Sequence, residues 1–290
     1  MKKILVLFLL ITSVLSCKKN SEVNSKANTI VQNDPYKEYY GNWVGDFVAD
    51  EISDSIIDYS DSNKINLVIK KIENGKAYGQ SIVSGNNRPM IGEVKKINNG
   101  LEFVLKEPGD DKYDGVFEFS IVGDKLMGMW YANDKNAKVI SRKYELTKQE
   151  FKYNPNVMLP EEGDYVDYYN VKKDSVTEEY EGETETYVNE SYRFASDVIT
   201  KMNGSTTAFK ESDLKNLKKL ELEIIRNTIY ARHGYTFKKR SFRQFFNPVA
   251  WYIPISNDVT AELTSLEKEN IKLLNRFEKY AEDNYDTFGR

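Results

Sequence analysis

Residues 64–78 read KINLVIKKIENGKAY, and this stretch decides the fold of the N-terminal half of the chain. Ile65, Leu67 and Ile69 alternate with other residues at the period of a β-strand that turns one face to a core. Asn74-Gly75 then supplies the two positive-φ residues that a type I′ hairpin turn requires. The stretch therefore predicts two antiparallel strands joined by a tight turn.

The same pattern continues on both sides of this hairpin, over residues 36–150. Short apolar runs are separated by turn signals at Asn99-Gly100, Pro108-Gly109 and Gly123-Asp124. About eight strands are predicted, near residues 41–49, 64–72, 76–84, 90–97, 101–107, 115–122, 125–131 and 138–147. Such an antiparallel meander favours a closed up-and-down barrel or a strongly curled sheet, because closure removes exposed strand edges.

Gly41-Asn42-Trp43 opens the first predicted strand, and Gly128-Met129-Trp130 repeats the tripeptide pattern in the seventh. The first tripeptide resembles the Gly-x-Trp start of lipocalin-like barrels, in which the Trp plugs one end. The resemblance implies a mouth that holds a small apolar ligand. We favour instead a barrel that its own Trp and Phe side chains fill, since eight strands enclose just enough space for them.

The chain begins with a segment typical of secretory signals, MKKILVLFLLITSVLSC over residues 1–17. Two lysines precede a mainly apolar run of 12 residues, which is too short for a membrane-spanning helix of about 20 residues. Its end, Val14-Leu15-Ser16-Cys17, resembles the lipobox of bacterial lipoproteins. The resemblance implies that residues 1–16 are removed and that Cys17 is acylated, with chains such as palmitate anchoring the protein in a membrane. An ordinary signal peptide with an incidental Cys is the alternative.

Residues 17–35 are expected to form a flexible tether from Cys17, because they are rich in Lys, Asn and Ser and lack periodicity. Lys18 stands where an Asp retains the lipoproteins of enteric bacteria in the inner membrane. The resemblance therefore favours a location in the bacterial cell envelope at the outer membrane.

Composition excludes several classes of function for these 290 residues. The net charge of −4 excludes a globally basic nucleic-acid binder. With one Cys and one His, disulfide scaffolds, Cys/His zinc sites and Cys–His nucleophilic pairs are excluded as well. The sequence also lacks a Gly-x-Ser-x-Gly elbow, a His-Glu-x-x-His pair and a phosphate-binding Gly loop. We therefore expect no enzyme, no cofactor, no metal site and no nucleic-acid partner.

Residues 151–204 are predicted to be an acidic, Tyr-rich bridge. Between Glu161 and Glu190, 11 Asp and Glu residues stand against Lys172 and Lys173, with five tyrosines among them. So many charges favour a solvated linker or an irregular arm, while the tyrosines favour docking on another surface. The alternation of Thr and Glu over residues 183–187 also fits a polar strand.

From about residue 205 the apolar period becomes helical. Leu222, Ile225 and Ile229 share one helix face, and Gly234 follows the last turn, where a positive φ is needed. A final helix is predicted from the capping-box spacing of residues 264–267. The chain is thus predicted to have two domains, an N-terminal all-β meander and a small α-helical domain at residues 205–290. We also expect a fragment from residue 192 to the C-terminus to fold alone.

The end of the first of these helices carries the most specific motif, Tyr230-Ala231-Arg232-His233-Gly234, with Trp251 and Tyr252 downstream. These residues resemble the signature of the YARHG domain, which occurs in bacterial extracytoplasmic proteins, many of them lipoproteins. The family has no assigned biochemical role, so the resemblance implies a location and no activity. For His233, a cation or hydrogen-bonding group at the helix C-terminus is favoured over a general base or a metal ligand.

The helical part is locally basic, with nine Lys and Arg against Glu221 and Glu223 between residues 215 and 257. The candidates for an anion-binding patch are Arg226, Lys238, Lys239, Arg240 and Arg243. Such a patch suits an anionic envelope glycan, a lipid head group or an acidic protein partner, and makes the protein a binding or scaffold module. Alternatively, the patch binds the protein's own acidic bridge, and the lipoprotein is purely structural.

Overall fold

The computed structural model describes residues 34–52 and 62–283 of the 290-residue chain. The chain divides into the units Met1–Pro35 and Tyr36–Arg290, and all the elements below belong to the second unit. The predicted signal peptide, Cys17 and nearly all of the predicted tether lie outside the described residues. Within the described ranges, no helix has both the length and the apolar character needed to cross a bilayer.

The N-terminal part is a closed antiparallel barrel of eight strands, as predicted. The strands are β1 Gly41–Ile52, β2 Ser62–Glu73, β3 Lys76–Val83, β4 Asn86–Ile97, β5 Gly100–Lys106, β6 Gly115–Val122, β7 Lys125–Ala132 and β8 Val139–Gln149. Each strand pairs with the next, and β1 pairs with β8 to close the barrel. Asn74 and Gly75 have φ values of 50° and 74°, which confirms the type I′ turn between β2 and β3.

The barrel interior is packed with apolar and aromatic side chains from alternate positions of the strands. The rings of Phe103 and Phe119 stack with their centroids 4.7 Å apart. Phe47 lies against the rings of Phe117 and Trp130 at 6.1 and 5.8 Å. Rings thus fill the middle of the barrel, the arrangement that eight strands favour.

The acidic segment contains a long β-hairpin rather than an irregular arm. Its strands are β9 Val166–Tyr180 and β10 Glu183–Phe194, which form a two-stranded sheet of their own. Glu181 and Gly182 turn the chain with φ values of 52° and 87°. The polar strand that the alternation at residues 183–187 favours lies within β10.

The C-terminal part is helical, as predicted, and its helices are α1 Glu211–Leu214, α2 Lys219–Arg232, α3 Arg240–Phe246 and α4 Ser265–Glu278. Thr264 caps α4, its hydroxyl accepting from the Glu267 N–H at 3.2 Å, which confirms the predicted capping box. Helix α2 packs on α4 through a core that also takes in Leu159 and Tyr165, from the segment between the barrel and the hairpin. The helical core therefore extends upstream of residue 205.

Hydrogen bonds join the barrel directly to the helical part. The Lys64 ammonium donates to the Val249 and Tyr252 carbonyls at 2.6 and 3.1 Å, and burial lowers its pKa to about 8. The buried Asn66 amide donates to the Pro254 carbonyl at 2.9 Å. Three carbonyls that follow α3 are thus satisfied by two side chains of β2, because buried backbone groups need partners.

Candidate functional site

The motif at residues 230–234 lies at the C-terminal end of α2 and is largely buried. Gly234 has a φ of 75°, and a Cβ there would come within 2.7 Å of the Ile255 side chain. A glycine is therefore required both for the backbone conformation and for the close approach of the chain after α3.

Arg232 ties the end of α2 to the segment between the barrel and the hairpin. Its side chain is 2% exposed, and burial lowers its pKa to about 10. The guanidinium donates to the Val157 carbonyl at 2.9 Å, the Ser205 hydroxyl at 3.0 Å and the Met158 sulfur at 3.1 Å. A buried guanidinium needs such acceptors, and here a carbonyl, a hydroxyl and a thioether supply them.

His233 belongs to a buried pair with Glu267 at the start of α4. The His233 Nε2 and Glu267 Oε2 atoms are 2.9 Å apart, the Tyr153 ring stacks on the imidazole at 4.3 Å, and the Tyr153 hydroxyl donates to Glu267 Oε1 at 3.0 Å. Burial opposes the charge on Glu267, yet hydrogen bonds from His233, Ser205 and the Thr264 N–H hold its pKa at about 2. Burial and the Glu267 charge raise the pKa of Tyr153 to about 12.

This arrangement holds the end of α2 to the neighbouring segments through buried contacts. The side chains of His233 and Glu267 are 5% and 0% exposed, and the Tyr153 ring covers the imidazole. Trp251 donates to the Met158 carbonyl at 2.8 Å, and Tyr252 donates to the Tyr235 carbonyl at 2.8 Å. Among residues 34–52 and 62–283, no group of three or more His, Cys, Asp and Glu residues could hold a metal ion.

The basic candidates fall into two groups. Arg226 forms a bidentate ion pair with Glu278 on α4, with N–O distances of 2.5 and 3.0 Å. Lys238, Lys239, Arg240 and Arg243 instead lie together, just before and within α3. The structure therefore places Arg240 and Arg243 at one pocket and Lys238 and Lys239 on the exposed surface just before α3, and it leaves Arg226 in the packing of α2 against α4.

Beside α3 lies a pocket of about 340 Å³, bounded by the barrel, the hairpin and the helix. Its lining includes Asp46 and Ser62 from the barrel, Tyr169 from β9, and Arg240, Arg243 and Gln244 from α3. The Arg240 guanidinium lies over the Tyr169 ring, 4.5 Å from its centroid. Arg243 Nε donates to the Asn63 amide oxygen at 3.1 Å, and burial and the Arg240 charge lower the pKa of Arg243.

Two guanidinium groups and one carboxylate thus line this pocket, so its lining is net positive. Sequence reasoning found the two arginines but missed Asp46, Tyr169 and Gln244, which come from three separate elements. Two signals in the sequence pointed towards docking at this place, the tyrosines of the acidic segment and the charge complementarity between that segment and the basic patch. The arrangement can bind an anionic group with guanidinium donors and can stack a flat ring or a sugar face beside it.

The root of the hairpin is fixed to the helical part next to this pocket. Gln244 donates to the buried Asp167 carboxylate at 3.1 Å. The Arg193 guanidinium bonds to Asp167 at 3.0 Å, to Glu223 at 2.8 Å and to Asp283 at 3.1 Å. One arginine therefore links both hairpin strands to α2 and to the segment after α4.

Comparison with known proteins identifies the helical part. Residues 196–279 match the family model of the YARHG domain, in agreement with the resemblance seen in the sequence. The match begins upstream of the predicted domain start at residue 205 and includes the short 3-10 turn Asp197–Thr200. No curated protein and no solved structure matches the chain.

Proposed function

Starting from a YARHG domain at residues 196–279, we propose that this protein is a lipid-anchored binding module of the bacterial envelope. Its ligand is an anionic envelope glycan, held in the pocket beside α3. The observation that carries the proposal is the placement of Arg240 and Arg243 with Tyr169 and Gln244 around one pocket of about 340 Å³.

The chemistry of the lining supports an anionic ligand. A guanidinium offers a planar fork of N–H donors that matches a carboxylate or a phosphate, and this match strengthens in a partly desolvated pocket. Three separate elements supply the walls, and Arg243 and Gln244 are positioned by their own hydrogen bonds to Asn63 and Asp167. Side chains held in this way lose little freedom on binding, which favours affinity.

The choice of a glycan rests on the neutral groups of the pocket. Tyr169 presents an aromatic ring and Asn247 presents an amide, so a sugar ring and its hydroxyl groups would find partners beside the charged group. The volume lies at the low end of the range for ligand pockets, about 300–1,000 Å³, and therefore suits one or two sugar units of a longer chain.

Membrane attachment is the second part of the proposal and rests on residues 14–17. Cys17 would carry the acyl chains and residues 18–35 would let the folded part reach its ligand, with the outer membrane favoured by Lys18. A Cys17→Ser protein should leave the membrane fraction after a high-salt wash. Its retention there would contradict the lipid anchor.

Binding can be tested with residues 18–290, soluble peptidoglycan fragments as the anionic glycan, and vesicles of phosphatidylglycerol. We expect Arg240→Glu to weaken glycan binding about tenfold or more, because it replaces a pocket cation by an anion. Arg276→Glu is the matched control, since Arg276 pairs with Glu211 on another surface. Equal binding by both variants would contradict the proposal. Binding to vesicles alone would move the ligand class to lipid head groups.

A purely structural lipoprotein is the second candidate function. It is favoured by the contacts of the acidic hairpin with the basic helix α3, where the Arg240 guanidinium lies over the Tyr169 ring and Gln244 donates to the Asp167 carboxylate. In that case Arg240→Glu should lower the unfolding temperature. It should not change binding, because neither the natural sequence nor the variant would bind the glycan fragments or the vesicles. We do not propose an apolar-ligand carrier, because stacked rings fill the barrel.

A further inference from the structure

The hairpin carries an acidic, exposed distal part, which we define as residues 174–190. It holds seven Asp and Glu residues and no Lys or Arg. Two of its large apolar side chains are also open to solvent, Val188 at 59% and Tyr187 at 45% exposure. The distal part therefore lies outside both hydrophobic cores, unlike the root at Asp167.

Two of these acids oppose each other directly. Glu178 and Glu185 are cross-strand partners, and like charges in such positions destabilise a strand pair. The two lysines of the hairpin do not relieve this repulsion, because Lys172 pairs with Asp174 at 2.8 Å and Lys173 with Glu190 at 2.7 Å. A two-stranded ribbon is only marginally stable in water, so this repulsion has a cost that a cationic partner would remove.

The chain offers a complementary surface at Lys238 and Lys239, which are exposed just before α3. The hairpin cannot place its distal acids on this surface within one molecule. Tyr169 of β9 already lies on Arg240 of α3, and Glu178 is nine residues further along the strand. At about 3.4 Å per residue, that strand carries Glu178 roughly 30 Å away from the helix.

We propose that the distal part of the hairpin of one copy docks on the Lys238–Lys239 surface of a second copy. Every copy carries both this acidic hairpin and this basic surface, so the contact is head-to-tail and extends to a ring or an open chain of copies. The partner is identified as a second copy because the two surfaces, which have complementary charges, belong to the same chain. The contact does not require a glycan in the pocket, so it can hold or fail independently of the proposed function.

Charge reversal on each side tests this contact by sedimentation velocity with residues 18–290. The hairpin variant is Glu178→Lys with Glu185→Lys, which keeps a like-charge pair across the strands. The surface variant is Lys238→Glu with Lys239→Glu. The runs cover a series of protein concentrations at ionic strengths of about 0.01 M and about 1 M, between which the Debye length falls from about 30 Å to about 3 Å.

We expect the natural sequence to associate at low ionic strength and to dissociate at high ionic strength. Each variant alone should associate about tenfold or more weakly, while an equimolar mixture of the two should associate again, because both contacts are then complementary. Restored association in the mixture also shows that both variants are folded. A natural sequence that stays monomeric, or a mixture that stays dissociated, would overturn the proposal.

Matched controls place the same charge changes on the outer face of the barrel. Glu93→Lys with Glu102→Lys, and Lys95→Glu with Lys106→Glu, alter exposed residues far along the chain from both surfaces. These variants should associate as the natural sequence does. Equal weakening by the controls would show a net-charge effect and contradict a specific contact.

Glu178→Gln with Glu185→Gln should weaken association while raising the thermal stability of the hairpin, which separates docking from simple loss of the hairpin.

Discussion

The barrel and the YARHG domain differ in where their cores come from. The buried residues of the barrel core all lie between Trp43 and Leu146, on the strands that close the sheet. The helical core takes Leu159 and Tyr165 from outside the family match, and the motif residue Arg232 donates to the Val157 carbonyl. The comparison teaches that a sequence family can mark less than the unit that folds.

The largest expected effect comes from dividing the chain. A fragment of residues 36–150 should keep a β-type circular dichroism spectrum, and a fragment of residues 151–290 should keep a helical one. A fragment of residues 192–290 should give the spectrum of a coil, because it lacks the Leu159 and Tyr165 side chains and the acceptor for Arg232. The sequence analysis predicted that this shorter fragment folds alone. A helical spectrum for it would confirm that prediction and contradict the need for residues 151–191.

Removing the buried hydrogen bonds of Arg232 should have the next largest effect. Arg232→Met keeps most of the side-chain volume but leaves the Val157 carbonyl and the Ser205 hydroxyl without their donor. We expect a loss of about 3 kcal/mol in the free energy of unfolding, measured by urea denaturation. Arg276→Met removes an exposed pair with Glu211 and should change the stability by less than about 1 kcal/mol. Equal effects of the two substitutions would refute a stabilising role for the buried hydrogen bonds of Arg232.

Acid should destabilise the helical part more than the barrel, because the pKa values of their buried glutamates are shifted in opposite directions. The pKa of Glu267 is lowered from 4.5 to about 2, so its contribution is present above pH 4.5 and is lost as the pH falls towards 2. Burial raises the pKa of Glu107 in the barrel, although Ser81 and the Gly115 N–H donate to it, so its protonated form favours folding. Between pH 4.5 and 2 the natural sequence should therefore lose about 3 kcal/mol of stability through Glu267, and Glu267→Gln should remove this part of the pH dependence. An unchanged pH profile in that variant would contradict the sign of the shift.

The smallest expected effect compares two glycines with similar backbone angles. Gly75 in the barrel and Gly234 after α2 have φ values of 74° and 75°, but only Gly234 has neighbours within 4 Å of an added Cβ. Gly75→Ala should cost about 1 kcal/mol through the backbone alone, and Gly234→Ala about 1–2 kcal/mol because Ile255 must also move. Thermal unfolding of the two variants measures the difference. A larger loss at Gly75 would reverse the comparison.

Local signals explain how much of this fold could be predicted. The strand alternation around Leu67 and the turn at Asn74-Gly75 are contained in a few residues, so the barrel strands followed from the sequence. The hairpin of β9 and β10 was harder, because charged residues occupy both of its faces and its turn is Glu181-Gly182 rather than Asn-Gly. A ribbon without a buried face has no hydrophobic period to detect.

The candidate site was only half visible for a related reason. Arg240 and Arg243 stood out as part of a local charge excess, whereas Tyr169 and Asp46 meet them only after three distant segments pack together. The partners of Arg232 are a backbone carbonyl, a hydroxyl and a thioether, which carry no signature in a sequence. A charge pattern predicts that a cation is present, and the fold alone determines what it contacts.

The closing of the barrel by its first and last strands has a consequence for how fast the molecule folds. Asn42 lies opposite Gln149, so the final seam of the sheet forms between residues at the two ends of the domain. Contacts over such long separations carry a large loop-closure entropy and slow the rate-limiting step, whereas α2 and α4 meet over a shorter length of chain. Refolding should therefore proceed in two kinetic phases, with helix signal recovering before the barrel tryptophans are buried.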